Sequence, residues 1–427
     1  MNETKPHLLI YAHYYDLAST ARIIRDLAEG LLDTFTITVI CVVPSYLGTI
    51  EDKWKTRKYY RENINGVDVI RIGVPEFAKT DKFSRIRNIL VYFLRAAYIT
   101  GKVGKVDYVL SVSQPPILGG LLGVWGKLRK KGTGGKRAKY IYQIQDFNPE
   151  QAMTVNYCKN FIATGLMMAL DKYSCRKADL IITVGRDLME TLEKRFKHGT
   201  FPKALMINNW TDEKVIFPLP PDNKKVLEFR RKYGLSGRFV IMYSGNIGLY
   251  YDLENLIKVI AKFGPGTVTE DGREVVFVFA GAGTVLNKLV FYKERHGLDN
   301  VIFIPYQPEE ELIYSLNAGD IQWCVNAKGM KGVSCPSKYY GLAAAGRPVL
   351  GVLEKGTEVR FLIEKTGGGL CCDPGEYKSI EKNIRWFIEN AGSKEVYEMG
   401  IRGRRYLEEK LTKDSCIRKY RDAILHC

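Results

Sequence analysis

NAKGMKGVSCPSKYYGLAAAGRPVLG, residues 326–351, reads as a polar loop broken by glycines, then a short helix, then a buried strand. The loop carries Lys328, Gly329, Lys331, Gly332, Ser334, Ser337 and Lys338. Its glycines permit close backbone approach, and its lysines and hydroxyls supply charge-assisted donors in the same space. The helix is expected to begin at Pro336 and Ser337, with proline suited to the first turn and serine to the cap. The dipole and free N–H groups of such a helix start favour an anion, for example a phosphate. From spacing alone the segment is either an ordinary loop–helix–strand unit of an α/β domain or a phosphate site.

Outward from this stretch, apolar runs alternate with helical spacing. HLLIY (7–11), TITVICVV (36–43) and VDVIRIGV (67–74) read as strands, with a helix over 21–32 and a polar, aromatic and basic segment over 54–63. The alternation predicts a parallel, doubly wound sheet with ligands at the carboxyl ends of its strands. The loop from His13 to Thr20 is then a site wall. Residues 84–103 form an amphipathic helix, followed by strand, the loop Ser113-Gln114-Pro115-Pro116 and another helix. In YIYQIQDFNPE (140–150) a strand ends in a polar loop. Asp146 there either takes a proton from a hydroxyl within about 3 Å or caps the next helix, and His13 is a rival base. Arg186, after the strand ADLIITV, either clamps a phosphate or pairs with Asp187 or Glu190.

The second half repeats the pattern. FVIMYSGNIG places Gly245 and Gly248 around Asn246-Ile247 after a strand. VVFVFAGAG follows, and VIFIPYQP leaves Tyr306 and Gln307 at a strand end, where Tyr306 is either a stacking surface for a base or ordinary packing. A proline-rich stretch at 217–224 reads as the connection between domains. The expected boundaries are 1–212, 213–405 and a terminal helical piece, 406–427.

A chain of 427 residues is long enough for two or three domains, and no tract of 18 apolar residues offers a membrane span. The polar start leading straight into a strand predicts no signal peptide. Nine scattered cysteines match neither a zinc spacing nor a disulfide framework, which suggests a reducing compartment. The net charge of +17 suits anionic substrates or an anionic membrane face. Nucleic acid is not expected, since no helix-turn-helix, zinc-finger or RNA-recognition signature appears. The densest basic run is KLRKKGTGGKRAK (127–139), either a solvated connection or, with the 84–103 helix beside it, a patch for anionic lipid.

The PSK at 336–338 followed by AAGRPVL at 344–350 resembles the donor segment of family 4 (group 1) glycosyltransferases. The resemblance implies a GT-B fold: two Rossmann-like doubly wound domains facing a cleft, with a C-terminal helix crossing back to the first. It implies a retaining transferase of hexosyl or N-acetylhexosaminyl groups with no cofactor and no metal, and no Asp-x-Asp motif is present. A nucleotide-diphosphate sugar, most naturally a UDP-sugar, would bind the second domain. The acceptor, a glycan or polyprenyl-linked glycan of bacterial surface polysaccharide assembly, would lie near His13 and Asp146. The setting would be cytoplasmic, at the inner face of the plasma membrane.

Three departures from the family pattern stand out. Ala18, Ser19 and Thr20 replace paired glycines in the first loop. Asn246 and Tyr250 replace an arginine and a lysine, so Lys328, Lys331, Lys338 and Arg186, with Arg347 a weaker substitute, are the available diphosphate cations beside Gly245, Gly248 and Ser337. The family's two glutamates fall at Val333 and Gly341. Sugar and ribose contacts would then come from Ser334, Ser337, backbone groups near Gly341, or Glu358. The missing glutamates leave room for a non-catalytic nucleotide-sugar-binding module. A sugar-nucleotide epimerase of the same fold is the other alternative.

Overall fold

Two parallel sheets organise the chain. The structure is a computed structural model that describes residues 5–16, 19–45, 48–78, 81–154 and 160–427. It divides into two compact units, Met1–Asn208 with Asp414–Cys427, and Asn209–Lys413.

In the first unit, β1 (His7–Tyr11), α1 (Ser19–Gly30), β2 (Thr36–Val42), β3 (Tyr59–Ile64), β4 (Val67–Ile72) and α2 (Lys82–Thr100) come first. Next are β5 (Tyr108–Val112), α3 (Leu118–Arg129), β6 (Lys139–Ile144), α4 (Glu150–Thr154) and α5 (Phe161–Lys177). β7 (Leu180–Thr183), α6 (Arg186–Arg195) and β8 (Ala204–Met206) complete the sheet. The strand order is β3-β4-β2-β1-β5-β6-β7-β8. All pairings are parallel except β3 with β4. β3 overlaps the polar, aromatic and basic segment 54–63, which was not read as a strand. Its signal was the Asn65-Gly66 turn, where both residues have positive φ (50° and 92°), the geometry of a two-residue hairpin.

Helix α3 lies flush on this sheet because it carries glycine where a side chain would collide. A Cβ on Gly123 would come within 2.1 Å of the Tyr140 ring. The basic run that follows α3 folds back as a hairpin bridged at Lys131 and Arg137.

The second unit runs α7 (Lys224–Lys232), β9 (Phe239–Ser244), α8 (Leu253–Ile260), β10 (Val275–Ala280), α9 (Leu286–His296) and β11 (Val301–Ile304). α10 (Leu312–Ala318), β12 (Ile321–Val325), α11 (Lys338–Ala344), β13 (Val349–Val352), α12 (Glu358–Thr366) and β14 (Gly369–Cys372) follow. α13 (Tyr377–Glu389) and α14 (Lys394–Lys410) precede α15 (Lys413–Leu425). The sheet order is β11-β10-β9-β12-β13-β14, parallel throughout. Its strands read as continuous apolar runs because helices cover both faces, and VVFVFA of β10 is buried at every position.

From Asp414 the chain belongs to the first unit again. There α15 buries Tyr420 completely, and its hydroxyl accepts a hydrogen bond from Gln143 Nε2 at 2.6 Å. Tyr420→Ala empties an aromatic site and orphans a buried amide. It is expected to destabilise the first unit by about 3–5 kcal/mol, read from urea unfolding of the full chain.

Candidate functional site

Strand β9 has β10 on one side and β12 on the other, so the connections reverse direction between β9 and β12. Open α/β sheets present their ligand crevice at the carboxyl ends of strands at such a point. The Gly245 turn follows β9 and the 326–337 loop follows β12, which brings the two glycine-bearing segments together. Ala327 N donates to Tyr250 O at 2.7 Å and joins them directly.

Lys338 is the centre of this junction. It is the first residue of α11, and its side chain runs beneath the Gly245 turn. Its Nζ lies 4.1 Å from the ring centroid of Tyr243 and 3.7 Å from that of Tyr251. It donates to the Tyr243 hydroxyl, which donates in turn to Asn246 O. Gly245 has φ +138°, and a Cβ there would sit 2.9 Å from Lys338 Cε. Glycine is therefore required at that position both by backbone angle and by space. Burial pushes the Lys338 ammonium down to about 7, because the rings return only part of the hydration it loses. A cation held this way gains most from an anion placed against it.

The rest of the loop differs from expectation. Ser337 does not cap α11: its backbone is already helical (φ −63°, ψ −17°) and its side chain makes no capping bond. The helix itself, α11, is short as expected, at seven residues. Backbone donors are largely engaged. Gly329 N and Lys331 N both donate to Glu354 Oε2 at 2.9 Å, so a carboxylate of the chain already fills that nest. Gly245 N and Ile247 N donate to Ala280 O and Ala282 O, both at 2.9 Å. Side-chain cations, not loop amides, are what the junction offers an anion.

Lys328 and Lys331 are exposed on the loop, and Gly248 and Asn246 border the turn, the first buried and the second exposed. Ser334 is half-buried, and its carbonyl accepts from Asn326 Nδ2 at 3.4 Å. Gly341 lies inside α11 with its carbonyl accepting from Ala345 N at 3.0 Å, so it contributes space and not a contact. Glu358 starts α12 and is buried. Tyr306 follows the edge strand β11 with its ring 60% exposed, and Gln307 beside it donates to Pro305 O at 2.7 Å. Arg347 is not a diphosphate cation. It precedes β13, at the edge of the sheet opposite the crevice, and donates to Asn317 Oδ1 at 3.0 Å.

In the first unit the reversal falls between β1 and β5. His13 follows β1 and Ser113 follows β5. The Ser113 hydroxyl accepts from Gln145 N at 3.1 Å and Asp146 N at 3.3 Å, which fixes the turn that presents Asp146, a half-buried residue. His13 is enclosed by Tyr14 and Tyr92, at centroid distances of 4.3 and 5.1 Å, and its Nε2 is buried without a partner. Burial lowers its pKa to about 3, so it is a neutral hydrogen-bonding group and a poor base. Arg186 opens α6 and is half-buried. Ala18 lies outside the described residues, as does the Ser19 side chain.

Sequence reasoning missed Tyr243, Tyr251 and Glu354. The tyrosines looked like strand and helix packing, since nothing local ties them to a lysine some ninety residues on. Glu354 is acidic, where cations were sought.

The family model for glycosyl transferases group 1 matches residues 226–405, which spans the crevice of the second unit. The chain is 27% identical over 317 residues to the "probable glycosyltransferase WbjE" of Pseudomonas aeruginosa, covering 73% of each. It is 24% identical over 305 residues to the "putative colanic acid biosynthesis glycosyl transferase WcaI" of Escherichia coli (strain K12), covering 66% of this chain and 67% of the other. The solved structure of HepE from Anabaena in complex with UDP-glucose superposes with a TM-score of 0.67 at 12% identity, covering 99% of this chain and all of that one, which shows a shared fold.

The Lys338 environment sets a pH-dependent stability. Its folded pKa, about 7, lies below the ordinary 10.5. Between those values the unfolded chain binds one proton more, so stability rises with pH. The penalty is full below about pH 7 and gone above about pH 10.5. Lys338→Met is therefore expected to melt higher than the parent at neutral pH, with the gap closing towards pH 10, as read by calorimetry.

Proposed function

We propose that this chain, whose residues 226–405 match the glycosyl transferases group 1 model and which has the GT-B fold, moves a sugar from a UDP-sugar to a glycan or polyprenyl-linked glycan acceptor in bacterial surface polysaccharide biosynthesis. The observation that carries the donor assignment is Lys338, an ammonium desolvated between two tyrosine rings at the β9–β12 reversal. WcaI's name supports the polysaccharide setting, and the UDP-glucose held by HepE supports the uridine donor.

In this reading the diphosphate lies against Lys338, with exposed Lys328 and Lys331 at its margin. As the bond from the anomeric carbon to the phosphate oxygen breaks, negative charge grows on the leaving diphosphate. A preorganised cation in a dry site stabilises that charge strongly, and no water need reorganise. Tyr306 offers the uracil an exposed face, and Ser334 and Glu358 the sugar and ribose hydroxyls. The acceptor oxygen attacks the same face of the sugar that the leaving group departs from, giving retention. On the first unit, Asp146 is the base offered to an acceptor hydroxyl, and neutral His13 orients a hydroxyl by hydrogen bonding. Charge neutralisation by lysine stands in for a divalent metal, so transfer proceeds in chelator.

Because an apposed diphosphate restores the Lys338 proton, UDP binding takes up close to one proton at about pH 8. Its affinity falls by about tenfold per pH unit above neutrality. Calorimetry in buffers of different ionisation enthalpy measures that uptake, and Lys338→Met abolishes both uptake and most binding. A panel of nucleotide sugars, with and without glycan acceptor, tests the reaction. Transfer with free UDP released is expected. Interconversion of sugars with the nucleotide still attached identifies an epimerase, and binding without turnover identifies a binding module.

A further inference from the structure

On the first unit, α3 packs between α2 and α5, and the outward side of all three helices is apolar. On α2 the exposed residues Phe83, Ile86, Leu90, Leu94 and Tyr98 recur every three or four positions and form one stripe. Phe83 is 85% exposed and Leu94 65%. The other side of the same helix buries Asn88, Tyr92, Ala96 and Ile99, so α2 has a core face and a second apolar face towards solvent. Helix α3 adds exposed Trp125 and Leu128, and Trp125 Nε1 donates to Ala97 O of α2 at 2.9 Å. An apolar hollow between the two helices is floored by Phe93 and Val124. Helix α5 exposes Ile162, Leu166 and Tyr173 along one line, with Phe161 at its start 81% exposed. A single exposed leucine is ordinary, whereas three neighbouring helices with aligned apolar stripes are an unsatisfied surface.

The charge around this face is predominantly positive. Residues 82–102 and 118–139 hold twelve lysines and arginines and no acidic residue. Several of the twelve are engaged: Lys127 and Lys139 face Asp179 at 2.7 and 3.9 Å, and Lys130 and Arg95 donate to Val103 O and Gly73 O. Arg87 falls within the α2 stripe, where its stem can lie along apolar surface while its head stays in water.

We infer that the outer face of α2, α3 and α5 is a docking surface for an anionic phospholipid bilayer, with Phe83, Leu90, Leu94 and Trp125 entering the headgroup–acyl boundary and the surrounding lysines and arginines meeting lipid phosphates. Charge selects the occupant. A second copy of this chain would bring the same positive face against itself, whereas an anionic leaflet supplies apolar depth and opposite charge together. No helix among the described residues is long and apolar enough to cross a membrane, so the contact is in-plane. The inference rests on the transferase reading only for its purpose, which is to hold the chain where a polyprenyl-linked acceptor would be found. Its geometry is independent of nucleotide.

The test is co-sedimentation of the full chain, without nucleotide, with vesicles of phosphatidylcholine alone or of phosphatidylcholine and phosphatidylglycerol in equal parts. Binding is expected to the anionic vesicles only, and to weaken with salt. Leu90→Glu and Leu94→Glu are each expected to lower it by about tenfold or more. Lys131→Gln/Lys136→Gln/Arg137→Gln weakens it without touching the apolar stripe. All variants should keep the parent's UDP thermal shift, so loss of lipid binding with that shift retained separates this inference from the donor-site reading. The inference fails if the parent does not bind anionic vesicles, or if the Leu→Glu variants bind as the parent does. It also fails if the parent is a dimer in sedimentation equilibrium that these variants dissociate, which would assign the face to a second copy.

Discussion

The second unit's site depends on one half-buried lysine whose ammonium rests against two aromatic rings. Lys338 stands on the first turn of a short helix, and two aromatic rings replace its hydration shell. The arrangement costs stability, since a desolvated lysine at neutral pH is worse off folded than unfolded. It also fixes its surroundings. The bond from Lys338 to Tyr243 continues to the carbonyl of Asn246, so the cation sets the shape of the turn above it. Gly245 is the residue whose backbone angle and lack of bulk let that turn lie on the lysine. Desolvation concentrated at one point in an otherwise well-packed sheet is the pattern expected of a functional site.

The two units apply one rule with different chemistry. Each places its site loops where strand order reverses, after β1 and β5 in the first and after β9 and β12 in the second. The first unit gathers uncharged or weakly basic groups, with a neutral buried imidazole beside a turn pinned through the Ser113 hydroxyl. The second gathers cations. That division suits hydroxyl recognition on one and anion recognition on the other. The nest at Gly329 and Lys331 refines it: Glu354 occupies the backbone donors, which leaves the lysine side chains as the free positive charge of the loop.

Much of the fold was legible because its signals are local. HLLIY and VVFVFA are strands wherever they stand among helices, and their positions agree with β1 and β10. The edge strand β3 was not read, because its composition is polar and only the Asn65-Gly66 turn betrays it. The site was legible as a segment and not as a geometry. Lys338 could be picked out from PSK, but its burial depends on Tyr243 and Tyr251, which a different strand and loop deliver through the sheet register. Ser337 looked like a cap because serine before a helix usually is one, yet here the backbone turned helical a residue early. Arg347 looked available until strand direction placed it at the opposite edge of the sheet. In each case the deciding fact is long-range, and a window of sequence does not contain it.

The most direct test is a crystal structure of the full chain grown with UDP. The account predicts both phosphates at the carboxyl ends of β9 and β12, with a phosphate oxygen within about 3 Å of Lys338 Nζ. Density for the diphosphate elsewhere on the chain, with Lys338 still sealed between Tyr243 and Tyr251, would contradict it.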